Sequence, residues 1–528
     1  MSLKIKEEFL HVESLIGENT TQTVLQTTLD IPSTAPNIAR VVWVKGSAVI
    51  TDSIVGLDKV NLEGCIDLSL VYMYEDLEEN RLNYQVVPYR HAINFSDYVE
   101  VIGAEEDMLV QAKVDLLEIE WELQLHQRTV HVDVLMQSTV KVKQQSSYQA
   151  VTNASVRAPK KLVVDDGVFH VQSQLKQVST SQLLDEDITL PEGAVPINLI
   201  LESHFQPKEL KTQVTAENIS ISGKLASSLI YLDENGNVEY CTMEESAAFQ
   251  LTVPNETKIT ELVVEPQIKV NAKPEFTPPS LSYNLYGELD LKLTLYELKY
   301  VRLVMDLDCS GCLIETRTRG IMLDNLINQK TQQSSARGVI ELGSNNPPIR
   351  EILQAEGWIK SFDYRIDEDK VFVDGAISLE IVYLAHTDEE LKPLYMAEFN
   401  NAIPFQQSIA IGGVQPGMTA DLTITVDELQ LDLINRETIE IDVSYCSKLK
   451  VTEPIHQEVV VEALEIPPLT EDPPSVTYVF VKNKDTLWKL SRQYHTSVEA
   501  IIDSNSWLRE RDDMTIRAGD RLCIPRKG

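Results

Sequence analysis

The residues of this chain whose types and spacing bear on chemistry fall into small groups. Cys309-Ser310-Gly311-Cys312 sets two thiols at the separation used by zinc ligands and redox pairs. A structural zinc wants four ligands, and nothing nearby supplies a second pair. The pair also lacks the helix start that activates a redox cysteine. Ser-Gly reads as a turn between strands, so both cysteines are expected to be structural thiols. The 9 histidines are dispersed, and no Gly-x-Ser-x-Gly, Gly-x-x-x-x-Gly-Lys-Ser/Thr or His-Glu-x-x-His occurs. No catalytic residue, metal site or cofactor is therefore expected. A further group lies near the C-terminus: Lys484, Asp485, Thr486, Leu487, Asn505, Ser506, Trp507, Arg509, Arg511 and Ile516. That mixture binds rather than breaks bonds, since aromatic and arginine side chains are favoured where interfaces concentrate their energy. Trp507 reads equally as a plug of its own loop, and Trp488 as helix packing.

Short elements must position that last group. Tyr478-Val479-Phe480-Val481 is a β-prone run. Leu487, Leu490 and Tyr494 recur at helical spacing, with Asp485 placed to cap the first turn. Thr496-Ser497-Val498-Glu499 has the form of a capping box, starting a helix whose inner face is Val498, Ile501 and Ile502. Asn505 stops it, and Ala518-Gly519-Asp520 turns the chain into Arg521-Leu522-Cys523-Ile524. The order is β-α-α-β, with little core of its own.

The pattern Tyr478…Asp485-Thr486-Leu487-Trp488, Tyr494-x-x-Ser497-Val498-Glu499-Ala500-Ile501, Asn505 and Ile516-x-x-Gly519-x-x-Leu522-x-Ile524-Pro525 resembles a LysM domain. The resemblance implies a groove for N-acetylglucosamine-containing glycans, lined by Asp485, Thr486, Leu487, Asn505 and Ile516. Two positions depart from the family. Lys484 stands where glycine usually lets backbone approach the sugar. Asn505-Ser506-Trp507 and the charged residues from Arg509 onward replace the usual Asn-Pro-Asn turn. Bulk and charge at the rim turn the expectation from sugar toward protein docking, with Lys484, Trp507, Arg509 and Arg511 as contacts.

The whole chain has 528 residues, room for roughly three or four domains. It carries 46 Lys+Arg against 81 Asp+Glu, a net charge of −35. Nucleic acid is therefore not an expected partner, because phosphate affinity rests on clustered cations. From Val476 onward there are 10 Lys+Arg and 7 Asp+Glu, so the tail is +3 and the rest −38. A basic module on an acidic body is expected to meet an acidic surface. Met1 to Asn19 has charges throughout and no signal-like apolar run, and no membrane span is expected.

Ahead of the tail the chain repeats itself. Gly64, Gly223 and Gly375 each precede Tyr72, Tyr231 and Tyr383 by the same interval. Ile31-Pro32, Leu190-Pro191 and Leu342-Gly343 stand equally far upstream, with Ile38, Ile197 and Ile349 in register. Ala92-Ile93-x-Phe95 recurs as Ala402-Ile403-x-Phe405. The period of roughly 150 to 160 residues suits duplicated domains. Alternation such as Ile66, Leu68, Leu70, Tyr72 predicts strands with one face inward. The fold expected is mainly β: three antiparallel β-rich domains at 1–150, 155–330 and 331–463, a Pro-rich linker at 464–475 and the β-α-α-β module at 476–526. A short helix is expected in each unit, as at Pro348-Ile349-Arg350-Glu351-Ile352-Leu353, and Gln144–Pro159 and Asn328–Arg337 are expected to separate the units.

Three such repeats before a LysM tail resemble the SipL-like SPOCS-domain proteins of endospore-forming Firmicutes. That resemblance implies a non-catalytic scaffold of spore coat assembly, in the mother-cell cytoplasm at the forespore surface. Its implied partners are a SpoIVA-like coat morphogenetic ATPase and other coat proteins. The competing expectation is a peptidoglycan-binding adaptor of cortex or wall.

Overall fold

The computed structural model describes residues 3–76, 81–157, 160–310, 313–343, 346–386, 393–466, 476–482, 485–494, 496–511 and 515–525. The first unit is built from β1 (Lys4–Asp30), β2 (Arg40–Gly56), β3 (Lys59–Asp76), β4 (Arg81–Glu100), β5 (Leu109–Leu123) and β6 (Thr129–Ser155). The second repeats that order as β7 (Lys161–Thr189), β8 (Leu199–Val214), β9 (Asn218–Leu232), β10 (Val238–Pro254), β11 (Leu262–Glu275) and β12 (Ser282–Ser310). The third is β13 (Leu313–Glu341), β14 (Ile349–Trp358), β15 (Phe362–Asp367), β16 (Lys370–Ala385), β17 (Leu394–Ala410), β18 (Thr419–Asn435) and β19 (Thr438–Ile466). The tail follows as β20 (Val476–Phe480), α1 (Leu487–Gln493), α2 (Val498–Ser504) and β21 (Arg521–Pro525), and these are the α-helices among the described residues.

Each unit folds its strands into two antiparallel sheets. In the first, β2-β3-β4 faces β1-β6-β5; the others repeat the pairing. The sheets close on a private core, as the alternation along β3 predicts: Ile66, Leu68, Leu70 and Tyr72 are all buried within it. Tyr72, Tyr231 and Tyr383 lock their units identically. Each donates its hydroxyl, at 3.1 Å, to the carbonyl of the residue 36 positions earlier: Pro36, Val195 and Pro347. The shared glycine answers to space. Gly64, Gly223 and Gly375 pair across the sheet with Phe95, Phe249 and Phe405, whose rings lie over them. A Cβ on Gly375 would stand 2.7 Å from the Phe405 ring and 3.0 Å from Phe362 Cβ. Gly375→Ala is therefore expected to cost about 1–3 kcal/mol through overpacking, read as a fall in the urea midpoint. An unchanged midpoint would show that the ring moves freely.

The helix expected at 348–353 is strand β14. Its register slips at Ile349/Glu351 and again at Ile352/Gln354. Each extra residue breaks the period of two, so Ile349, Ile352 and Leu353 fall at helix-like spacing while staying in a sheet. The expected separators are also strand. Residues 144–155 run in β6 against β1, and 328–337 run in β13 against β19. They read as loops because over 144–149 and 328–337 one face of the ribbon is largely exposed and the other half-buried, so Gln, Ser and Thr suffice and the main-chain ladder does the holding, while Ala150, Val151 and Thr152 beyond are buried. β6 ends at Ser155 and β7 begins at Lys161, and β12 ends at Ser310 and β13 begins at Leu313. Cys309, expected as a thiol, is disulfide-bonded; Cys312 lies outside the described residues.

The first and last strands of each unit, 27 to 29 residues long, reach beyond their own cores. Their far ends meet in a shared hub. Leu10, Val12 and Ala150 come from the first unit, Val171, Val301 and Leu303 from the second, and Ile321, Leu323 and Val459 from the third. A second shared core joins the outer faces of the inner sheets through Trp43, Val71 and Met73, Leu201 and Ile230, and Val382, Leu384 and Leu394. The three units are consequently one body.

Candidate functional site

The tail closes on a small core of Val481, Leu490, Ile501, Leu508, Leu522 and Ile524, with β20 and β21 paired antiparallel. Thr486, not Asp485, caps α1: its hydroxyl accepts the Lys489 N–H at 3.1 Å. Asp485 holds the loop before it instead, accepting the Lys482 N–H at 2.8 Å and pairing with Lys489 at 3.2 Å. The Lys482 N–H holds its carboxyl below the usual range. At α2 the cap is Ser497, which accepts the Ala500 N–H, while Thr496 donates to the Pro525 carbonyl at 2.6 Å. The capping-box spacing to Glu499 points to Thr496, but Thr496 is bonded to β21 and the cap passes to Ser497, whose third residue on is Ala500.

Asn505 is buried and its amide is fully engaged. Its NH₂ donates to the Ile501 carbonyl at 2.7 Å and the Cys523 carbonyl at 2.6 Å, and its oxygen accepts the Cys523 N–H at 2.8 Å. It ties α2 to β21. Leu487, Trp507 and Ile516 are half-buried against the same core. Over Trp507 lies the Arg511 guanidinium, 4.7 Å from the ring centroid, held there by two bonds to Asp520 at 2.7 and 3.0 Å. Arg511 in turn lowers the Asp520 carboxyl below its ordinary value. Ser506 and Arg509 are exposed, and Arg509 pairs with Asp503. Lys484 lies outside the described residues.

The charge contrast between tail and body has a physical seat that spacing alone does not reveal. Arg492 of α1 pairs with Asp306 of β12 at 2.5 Å and donates to the Thr316 hydroxyl of β13. Asp308 of β12 feels the Val498 N–H at the start of α2, which draws its carboxyl down against burial. Burial raises both aspartates, with Arg492 acting against it. The acidic surface met by the basic module is thus partly the chain's own β12 tip. The contact uses the last turn of α1 and the start of α2, not the loops that carry Asp485, Trp507 and Arg511. The expected partner-facing rim and the intramolecular contact are separate.

The cleft where the three units meet, about 290 Å³, is lined by Glu13, Lys141, Lys143, Asp324, Asp421 and Lys450. Its charges cross-link the body. Glu13 accepts the Gln174 N–H at 2.9 Å, Asp324 the Leu15 N–H at 3.1 Å, and Lys141 pairs with Asp421 at 3.0 Å. No described helix is long and apolar enough to cross a membrane.

Comparison with known families assigns these parts. Residues 37–124 and 348–434 match the family described as SipL, SPOCS domain, and residues 480–525 match the LysM domain. The first two segments cover β2–β5 and β14–β18; the middle unit, unmatched, has the same strand order, tyrosine lock and Gly–Phe pair. No curated protein and no solved structure matches the chain.

Proposed function

We propose that this chain, a SipL-like SPOCS protein with a C-terminal LysM domain, is a non-catalytic scaffold of spore coat assembly that docks through the LysM module on a coat morphogenetic ATPase at the forespore surface. The domains themselves are binding domains of a sporulation protein, the LysM module belonging to a peptidoglycan-binding class. One observation carries the finer reading. The ring face of Trp507, the natural platform for a sugar, is covered by Arg511, which Asp520 fixes in place. A rim of aromatic and arginine residues pre-set in this way suits a protein surface. Arg509 and Ser506 extend that rim in solvent.

The test is recovery of the SpoIVA-like ATPase with tagged protein from sporulating cells, using the full chain and a chain lacking residues 476–528. The ATPase is expected to be lost with the tail; undiminished recovery overturns the reading. The LysM match keeps a glycan reading in play. Titration of the full-length protein with chitin oligomers separates the two, because saturable binding competed by Thr486→Ala but not by loss of the ATPase would favour the peptidoglycan adaptor.

A further inference from the structure

We infer that the first unit carries a binding site for a single zinc-class divalent cation, formed by Cys65, Asp67 and His91. One ligand atom from each, a thiol sulfur, a carboxylate oxygen and an imidazole nitrogen, lies within 4.8 Å of the others. A tetrahedral ion with bonds of about 2.0–2.3 Å needs its ligands about 3.3–3.7 Å apart. Binding therefore requires the three side chains to draw in on the ion, and the exposed His91 ring and half-buried Asp67 carboxylate are the groups with room to do so. Three protein ligands leave the fourth position open for water or an exogenous donor, and a thiolate beside an imidazole selects zinc over magnesium or calcium.

The site arises from sheet register. Cys65 and Asp67 alternate with the core residues Ile66 and Leu68, so they share the opposite face of β3. His91 sits on β4 where the pairing slips between Ile66 and Leu68, with φ of 52°. Its N–H donates to one Asp67 oxygen at 2.6 Å, which orients the carboxylate and leaves the second oxygen for a metal. Cys65 is buried at 8% exposure, so its sulfur is shielded from bulk solvent.

The other units supply an internal control. In the third, the residues following Gly375 and preceding Phe405 at the same offsets are Ala376, Ser378 and Asn401. Asn401 has the same φ of 52° and its N–H meets the Ser378 hydroxyl at 2.9 Å. The bulge is therefore a property of the repeat and needs no metal. In the second, Lys224 and Glu245 hold these places and pair at 2.8 Å. Ala226 stands at the Asp67 place of the second unit, so among the described residues the bulge holds three metal-binding groups in the first unit and not in the others.

The test uses full-length protein freed of metal by chelator, with cobalt(II) as probe and zinc(II) as competitor. One equivalent of cobalt is expected to bind with a thiolate-to-metal charge-transfer band, displaced by zinc. The substitutions are those the third unit already tolerates: Cys65→Ala, Asp67→Ser and His91→Asn. Cys65→Ala is expected to abolish the band, and each of the others to weaken binding at least about tenfold, with the circular dichroism unchanged. Cys241, Cys446 and Cys523 are also free thiols, so the Cys65 variant is decisive. A band that survives Cys65→Ala, or cobalt binding with no thiolate band at all, overturns the assignment.

Discussion

Lys45→Met is expected to cost about 3–5 kcal/mol at neutral pH and to recover part of that loss as the pH falls toward about 5. Lys45, on β2 of the first unit, sits between Glu202 of the second at 2.5 Å and Glu380 of the third at 2.6 Å. The three side chains are only 24%, 17% and 15% exposed. The second oxygen of Glu202 has no hydrogen-bond partner. One ammonium thus offsets the charge of two carboxylates in part at a junction shared by all three units, and removing it leaves both uncompensated. The pH dependence follows from direction alone. Burial raises the Glu380 carboxyl above 4.5, even with Lys45 opposing it. A group that binds its proton more tightly folded than unfolded stabilises at low pH, and loses that contribution as pH rises through the folded value. Without Lys45 the folded value rises further, so acid neutralises what the lysine no longer does. Chemical denaturation at two pH values reads this out. Replacing all three residues by apolar ones of similar size should restore most of the stability, because the cost lies in orphaned charge rather than lost attraction. Equal loss in the single and triple variants would show that the triad is not the cause.

Leu303→Ala is expected to cost about 2–5 kcal/mol and to loosen all three units together. Leu303 is fully buried in the hub among Leu10 and Val12 of the first unit and Ile321 and Leu323 of the third. A cavity there removes contacts from strands of every unit at once. Hydrogen exchange followed peptide by peptide is the readout, since shared cores open as cooperative blocks. Faster exchange in β1, β6, β13 and β19 as well as β7 and β12 is the expected result. A rise confined to residues 161–310 would mean that the units are merely tethered.

The tail shows where sequence reading succeeds and where it stops. Its element order was legible because helical spacing, turn residues and alternation are local. The jobs of individual residues were not. Asp485 and Thr486 are adjacent and chemically similar, and only loop geometry gives the cap to Thr486. Asn505 reads as a stop or a groove residue until Cys523, on a strand 18 positions later, is seen to use its amide. Arg492 carries no motif at all; its partners Asp306 and Thr316 lie far away in the chain. The same distance hid Cys65, Asp67 and His91, which only the register of β3 against β4 brings together.

For the body, the sequence alone determined that one antiparallel β unit is written three times ahead of a LysM module. Gly64, Gly223 and Gly375, and the tyrosines after them, report side-chain packing within a unit, and such packing imposes the same residues at the same spacing each time. The tertiary structure decided that the three units are one body. The hub joins the far ends of strands that extend past their own cores, and the Lys45 triad joins β2, β8 and β16 of the three units. The Gln- and Ser-rich stretches of the long strands look like linkers because a paired ribbon satisfies its backbone with one face in solvent and the other only half-buried.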